Sequence, residues 1–222
     1  EYLLNGYGGT LTAAPPIEQK EKAFNLPEKN DNMRRVYAYL LSRRGISRDV
    51  INAFARKQMI YESLPHHNAV FVGYDTNGVA RHAHKRGTGS QSTYKGNADG
   101  SLPEYSFHWN GTSNRVFLFE APIDMLSYIT MNPNGWQQNT YAASCSVADR
   151  VLFQCLKDNP NLTEVYLCFD SDTAGQSAAK RISDKLFAQG YNSEILVPTK
   201  KDWNEDLIMQ KEGEQAWTEQ LY

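Results

Sequence analysis

The chain has 222 residues, 41% of them hydrophobic and 22% charged, with a formal net charge of −2. That length can bury one large or two small cores without disulfide or metal staples, and no apolar run approaches the ~18–20 residues that span a bilayer, which argues against a membrane partner and for a cytoplasmic protein. The near-neutral balance gives no general attraction to nucleic acid, so any such partner needs a local basic patch.

In chain order, EYLLNGYGG reads as the tail of a helix from an upstream segment, with no signal peptide in view. Residues 11–32 have three prolines and many polar residues without a period, and read as a linker. From Met33 the pattern turns helical, with Val36, Tyr37, Leu40 and Leu41 on one face and Gly45 as the stop. Ser47 suits the N-cap of a second helix, flanked by Ile46 and Ile51 at the spacing of a hydrophobic staple. NAVFVGY and VARHAHKR, joined through DTNG, read as a β-hairpin. Residues 1–32 are thus expected to be a tail and linker, and 33–114 a small α+β unit.

The stretch RGTGSQSTYKGNADGSLP, residues 86–103, is either a solvated loop or a mobile basic loop that touches a phosphate backbone through Arg86 and Lys95, together with Arg81 and Lys85 on the preceding strand. His82 and His84 share a strand face but lack an evident third ligand, so they read as ordinary strand residues. The three cysteines, Cys145, Cys155 and Cys168, fit no zinc spacing and read as reduced, mostly buried thiols; no zinc site is expected in this chain.

After Arg115, RVFLFE, NTYAASC, EVYLCFD and NSEILVP are apolar enough for buried parallel strands with helices between them, which predicts an α/β sheet over 115–222. Such sheets collect their reactive groups at the C-terminal strand edge. Glu120 ends the first of these strands, Asp170 and Asp172 the third, and Asp202 follows the fourth in VPTKKDWNEDL. Aspartates at i and i+2 of an extended segment point to one side, and two bare carboxylates ~4 Å apart repel by about 4 kcal/mol near a protein surface. A divalent cation with oxygen ligands offsets that repulsion; the competing reading makes Asp172 a helix cap and Asp170 a strand end. A haloacid-dehalogenase motif would place Thr where Ala174 stands, a P-loop would need GxxxxGK[ST], and an EF-hand would need further ligands where a helix begins.

A strand ending in Glu, then one ending in Asp-x-Asp followed by Ala-Gly, then KDxxEDL after a fourth strand, resembles the Toprim domain shared by DnaG-type primases, topoisomerases and certain nucleases, over residues 115 to about 210. Residues 33–114 resemble the segment that precedes Toprim in bacterial primases, through YAYLLSRRGISRDVINAF and the hairpin NAVFVGYDTNGVARHAHKRG. The chain as a whole is most similar to the primase-like Toprim proteins of conjugative plasmids and transposons of Gram-positive bacteria, in which a zinc-binding domain often precedes the core.

The resemblance implies Glu120 as general acid or base, Asp170 and Asp172 as the metal-binding pair, and Asp124 and Asp202 as accessory acids. Glu120, Asp170, Asp172 and Asp202 would then hold Mg²⁺ or Mn²⁺. Arg81, Lys85, Arg86 and Lys95 would guide a single-stranded DNA template and nucleotides toward the acids. The implied activity is primer synthesis for replication or transfer of a mobile element, with replication or conjugation proteins as further partners. A Toprim phosphodiesterase or nickase, and a non-catalytic nucleic-acid-binding module, are the alternatives. Ala121, which is followed by Pro122, and Cys145 depart from the family pattern at positions where Gly is usual, and Asn204 where another Asp is common.

Overall fold

This computed structural model describes residues 23–145 and 149–219. Strand alternation and turn chemistry build its first sheet. β1 (Ile60–Glu62), β2 (Ala69–Tyr74), β3 (Ala80–Arg86) and β4 (Lys95–Asn97) pair in that order, antiparallel throughout. The expected hairpin is β2–β3. Its turn is fixed by Asp75, whose Oδ1 accepts from the Asn77 and Val79 N–H groups at 3.0 and 2.9 Å, and by Gly78 at φ +75°. Alternation sends Phe71 and His84 to the face that packs on the rest of the molecule. Val70, Val72 and Ala83 go to the other, where Tyr61 and Ala98 complete a small separate cluster.

Helix α1 (Arg34–Ala38) continues into a π-helical turn, Tyr39–Arg43, and the chain turns at Gly45, φ +67°. Val36 and Leu40 are buried as the apolar face requires. The wider last turn is a feature that a 3.6-residue period does not encode, and it delivers Arg44 to the site described below. Helix α2 (Arg48–Arg56) begins at Ser47, whose Oγ accepts the Val50 N–H at 3.3 Å. Residues 1–22, with the expected helix tail and most of the linker, lie outside the described residues. Residues 27–30 run beside β1: the Asn30 N–H donates to Glu62 O, the Leu64 N–H to Glu28 O, and the Tyr61 hydroxyl to Pro27 O.

The second sheet has the order β5–β7–β6–β8–β9. Strands β6 (Arg115–Phe119), β7 (Thr140–Ala143), β8 (Glu164–Cys168) and β9 (Asn192–Ile195) are parallel, and β5 (His108–Trp109) pairs antiparallel with β7. All four strands expected after Arg115 are present, and the α/β class is found. Helices α3 (Pro122–Met131) and α6 (Trp203–Glu219) share a core with α2 and the first sheet: Phe119, Met125, Leu126 and Leu207 meet Phe54 and Phe71. Helices α4 (Arg150–Asp158) and α5 (Thr173–Ala188) cover the opposite face, with Val116, Leu118, Leu152, Ile182 and Leu186. β6 therefore feeds alternate side chains to two cores, which is why it reads as a continuous apolar run. Among the described residues no helix is long and apolar enough to cross a membrane.

One consequence positions the chemistry. The helix after β6 lies on one face and the helix after β8 on the other, so a crevice opens at the C-terminal ends of these neighbouring strands.

Candidate active site at the strand ends

Pairing of Phe119 with Cys168 brings the residues that follow β6 and β8 together. The Asp170 N–H points at Glu120 Oε1, 3.4 Å away. Gly175, in the first turn of α5, makes this approach sterically feasible: a Cβ there would stand 2.4 Å from Asp170 O and 2.8 Å from Glu120 Oε1. The small-residue start of α5 is thus a requirement of the acid pair above it. At the far side, the Trp203 indole donates to Cys168 O at 2.9 Å and fixes the start of α6 against the end of β8.

These elements border a cleft of about 470 Å³, the size of a small-molecule site. One wall, from the second sheet and its helices, carries Glu120, Asp124, Asp170 and Asp202; the first sheet contributes His84, Arg86 and Lys95, and Arg44, bonded to Asn204 at the start of α6, and Lys201 also line the cleft. Burial, and then the charges of Glu120, Asp202 and Asp172, push Asp170 up to about 7, with Lys201 acting in the opposite direction. Burial also holds Glu120 above its ordinary value, opposed by the Asp170 N–H and Lys95, with Asp172 adding to the rise. Asp124 is 7% exposed and held well above the carboxylate range by burial and by the charges of Asp202 and Asp170, although the Asn204 backbone N–H favours its ionised form.

Of the residues singled out from sequence, Glu120, Asp124, Asp170, Asp202, Arg86 and Lys95 meet at this cleft. Asp172 sits beside it: exposed, it caps α5 through Oδ1, which accepts the Gly175 N–H at 2.9 Å, while its charge still acts on Glu120 and Asp170. Strand β8 ends at Cys168, before the pair, so the alternation of the strand does not carry through to Asp172, which starts α5. Asp202 likewise caps α6, accepting the Glu205 N–H at 2.8 Å, yet lines the cleft. Arg81 is held by Asp75 at 2.8 Å and Lys85 lies over the Tyr94 ring at 5.8 Å; neither lines the acidic cleft. Strand alternation separates them from Arg86.

Arg44, His84 and Lys201 are the cleft residues that sequence reasoning did not assign. Alternation along β3, which sets residues 82, 84 and 86 on one face, was the available signal for His84. His84 Nδ1 pairs with Asn97 Oδ1 at 2.8 Å, whereas fully buried His82 bonds through neither ring nitrogen and is pushed down to about 4 by burial.

Cys145 takes φ +54°, the conformation that favours Gly, and burial raises its thiol to about 12, so it serves as a packed wall rather than a nucleophile. Asn204 uses its amide fully. Oδ1 accepts from Arg44 Nη1 at 3.0 Å, and Nδ2 donates to Arg44 O at 2.8 Å and Ser127 Oγ at 2.9 Å. It ties α6 to α3 and to the turn that presents Arg44. Asn204→Asp removes both donations and buries a carboxylate beside Asp124. The expected loss is about 2 kcal/mol of stability in urea melts, larger at pH 8 than at pH 5.

Among the described residues no three His, Cys, Asp or Glu side chains are grouped closely enough to hold a metal ion. The oxygen donors nevertheless fit a cation of the Mg²⁺ type, which needs only one or two carboxylates and completes its shell with water and phosphate. Asp170 Oδ1 is buried and has no hydrogen-bond partner, which is the signature of an acceptor awaiting such a ligand.

Comparison with known proteins bears on the fold. Residues 38–113 match the family described as "Protein of unknown function (DUF3991)", and residues 117–207 match the family described as "Toprim-like". An uncharacterized protein of Bacillus anthracis, pXO2-78, is 24% identical over 78% of this chain and 56% of its own length. The chain spans about half the length of the curated relatives it matches. The primase fragment of the bacteriophage T7 primase-helicase protein superposes with a TM-score of 0.57 at 19% identity, covering 82% of this chain and 73% of that one. A DnaG primase catalytic domain bound to single-stranded DNA gives 0.55 at 16% identity, covering 84% and 72%. Residues 117–207 are a Toprim-like domain, and the chain carries the fold of the primase catalytic cores.

Proposed function

We propose that the cleft is the active site of a Mg²⁺- or Mn²⁺-dependent nucleotidyltransferase that extends a primer on single-stranded DNA. The observation that carries this reading is a pair of unsatisfied buried atoms in residues of opposite walls, the acceptor Asp170 Oδ1 and the donor Arg86 Nε. A ligand with a cation on one side and phosphate oxygens on the other satisfies both. When bound at Asp170 with Glu120 and Asp202, the cation would supply neutralisation of phosphate charge. Arg86 and Lys95 of the first sheet orient the phosphates, with Arg44 reaching the cleft from beside Asn204. Glu120, whose carboxyl burial holds above its ordinary value and whose Oε1 lies 3.4 Å from the Asp170 N, is placed to take or return a proton at the attacking hydroxyl.

The primase-core fold and the likeness to a pXO2 protein support a role in replication or transfer of a mobile element. The test is ribonucleotide incorporation on a single-stranded template by the full-length protein with Mn²⁺. Arg86→Ala is expected to lower incorporation by roughly 100-fold; template cutting without nucleotides would instead assign a phosphodiesterase. A second reading, a non-catalytic nucleic-acid-binding module, is favoured by the lack of three converging ligands among the described residues. It predicts no Mn²⁺ heat in calorimetry.

A further inference from the structure

The β3–β4 ladder presents two rows of side chains to the acidic cleft. Pairing sets Arg86 opposite Lys95 and His84 opposite Asn97, and all four line the cleft. Two residues of strand, about 7 Å, separate the rows. The first row is cationic and suits phosphate. The second is neutral: burial holds the His84 imidazole below its ordinary value, opposed by the bond to Asn97, with the charges of Arg86 and Lys95 adding to the fall. The ring is also fixed on both sides. Nδ1 lies 2.8 Å from Asn97 Oδ1, and the ring of Phe71, the residue opposite on β2, stands 6.4 Å away between centroids. An amide oxygen only accepts, so Nδ1 carries the proton and Nε2 the lone pair. Nε2 has no hydrogen-bond partner among the described residues and, unlike the ring nitrogens of His82, is not sealed from solvent. Beside the cations Arg86 and Lys95 the cleft thus holds one oriented, unused acceptor.

Ionised phosphate oxygens cannot use that atom, because they too only accept. A donor covalently close to the phosphates can. In a nucleotide the nearest such donors are the sugar hydroxyls, and the amino groups of a base lie beyond the sugar. We infer that His84 Nε2 accepts a hydrogen bond from a ribose hydroxyl of a nucleotide whose phosphates rest on Arg86 and Lys95, which makes His84 a specificity-determining residue for the sugar. Resting on the nucleotide-site reading proposed above, this contact names the feature of the substrate that the wall recognises. A site that bonds a hydroxyl discriminates against the analogue that lacks it, since the acceptor is then left desolvated and unpaired.

The experiment is isothermal titration calorimetry of the full chain in Mg²⁺, at neutral pH, with ATP, 2′-deoxy-ATP, 3′-deoxy-ATP and inorganic tripolyphosphate, which has no sugar. ATP is expected to bind about fivefold tighter than the analogue whose missing hydroxyl meets Nε2, the worth of one hydrogen bond. The two analogues show whether that is the 2′ or the 3′ oxygen. His84→Ala should bring the ratio to about one, and His84→Gln, whose amide oxygen can accept, should keep part of it. Asn97→Ala, which releases Nδ1, should lower the ratio and carries the test if melting temperatures show that His84→Ala does not fold. A role in packing alone would shift all four ligands together and leave the ratio unchanged. Equal affinity of the parent for the three nucleotides overturns the inference, as does an undiminished preference in folded His84→Ala or Asn97→Ala. If tripolyphosphate binding depends on Arg86, that result removes only the sugar contact. If neither ATP nor tripolyphosphate binds, or Arg86→Ala weakens neither, the nucleotide-site reading falls and this inference with it.

Discussion

Asp170→Asn is expected to raise the melting temperature of the metal-free protein at pH 8 by several degrees while abolishing the stabilisation that Mn²⁺ gives the unmodified chain. The sign follows from the carboxyl being pushed up to about 7 in the fold, by burial and by Glu120, Asp202 and Asp172, against about 3.9 in an unfolded chain. Between those values the folded state binds more protons than the unfolded one, so its stability falls as pH rises through the window and stays reduced above it. Asparagine carries no such penalty. The advantage of the variant should therefore shrink as pH falls below ~7 and vanish below pH ~4. Scanning calorimetry in chelator across pH 4–8 reads the first effect, and a Mn²⁺ titration of the melting temperature reads the second. Turnover should fall at least ~100-fold if the proposed active site holds, since the buried acceptor proposed to meet the cation is gone. A variant less stable than the parent at pH 8 in chelator would contradict the charge balance assigned to this cleft.

Gly175→Ala should have the second large effect, through sterics. Its Cβ would lie 2.4 Å from Asp170 O, 2.8 Å from Glu120 Oε1 and 3.0 Å from Asp170 N. The first and last contacts are backbone, which cannot swing aside, so α5 must move off the sheet or the Asp170 segment must shift. Overpacking of this kind costs about 1–3 kcal/mol. A displacement of roughly 1 Å at the acids is enough to lower turnover by about 100-fold. Urea melts and incorporation assays at saturating Mn²⁺ check both; a variant with parental stability and turnover would show that the start of α5 does not set the acid spacing. Gly190, in open space at φ +85°, is the contrast: Gly190→Ala strains the backbone but leaves the acids in place.

The local sequence determined a good deal by itself. The runs at 115–120, 139–145, 164–170 and 192–198 contain the four parallel strands: β6, β7 and β8 are mostly buried and mostly apolar, as strands covered on both faces are, whereas edge strand β9 is exposed or half-buried along its length. Asn77-Gly78 placed the first hairpin, Ser47 capped α2, and strand-end acids pointed to one sheet edge, since each of these rests on contacts within a few residues. The order β7–β6–β8, the π turn that presents Arg44, and the fact that only Arg86 and Lys95 of the four basic residues reach the acidic cleft depended on tertiary packing. Arg81, Lys85 and Arg86 are close in sequence, yet alternation along β3 sends Arg86 to the acidic cleft and leaves Arg81 and Lys85 on the other face, with Asp75 and Tyr94 as their partners. Asp170 and Asp172 divide in the same way. Two residues apart, they look alike in the sequence; the end of β8 buries the first against Glu120, while the start of α5 needs the second as its cap.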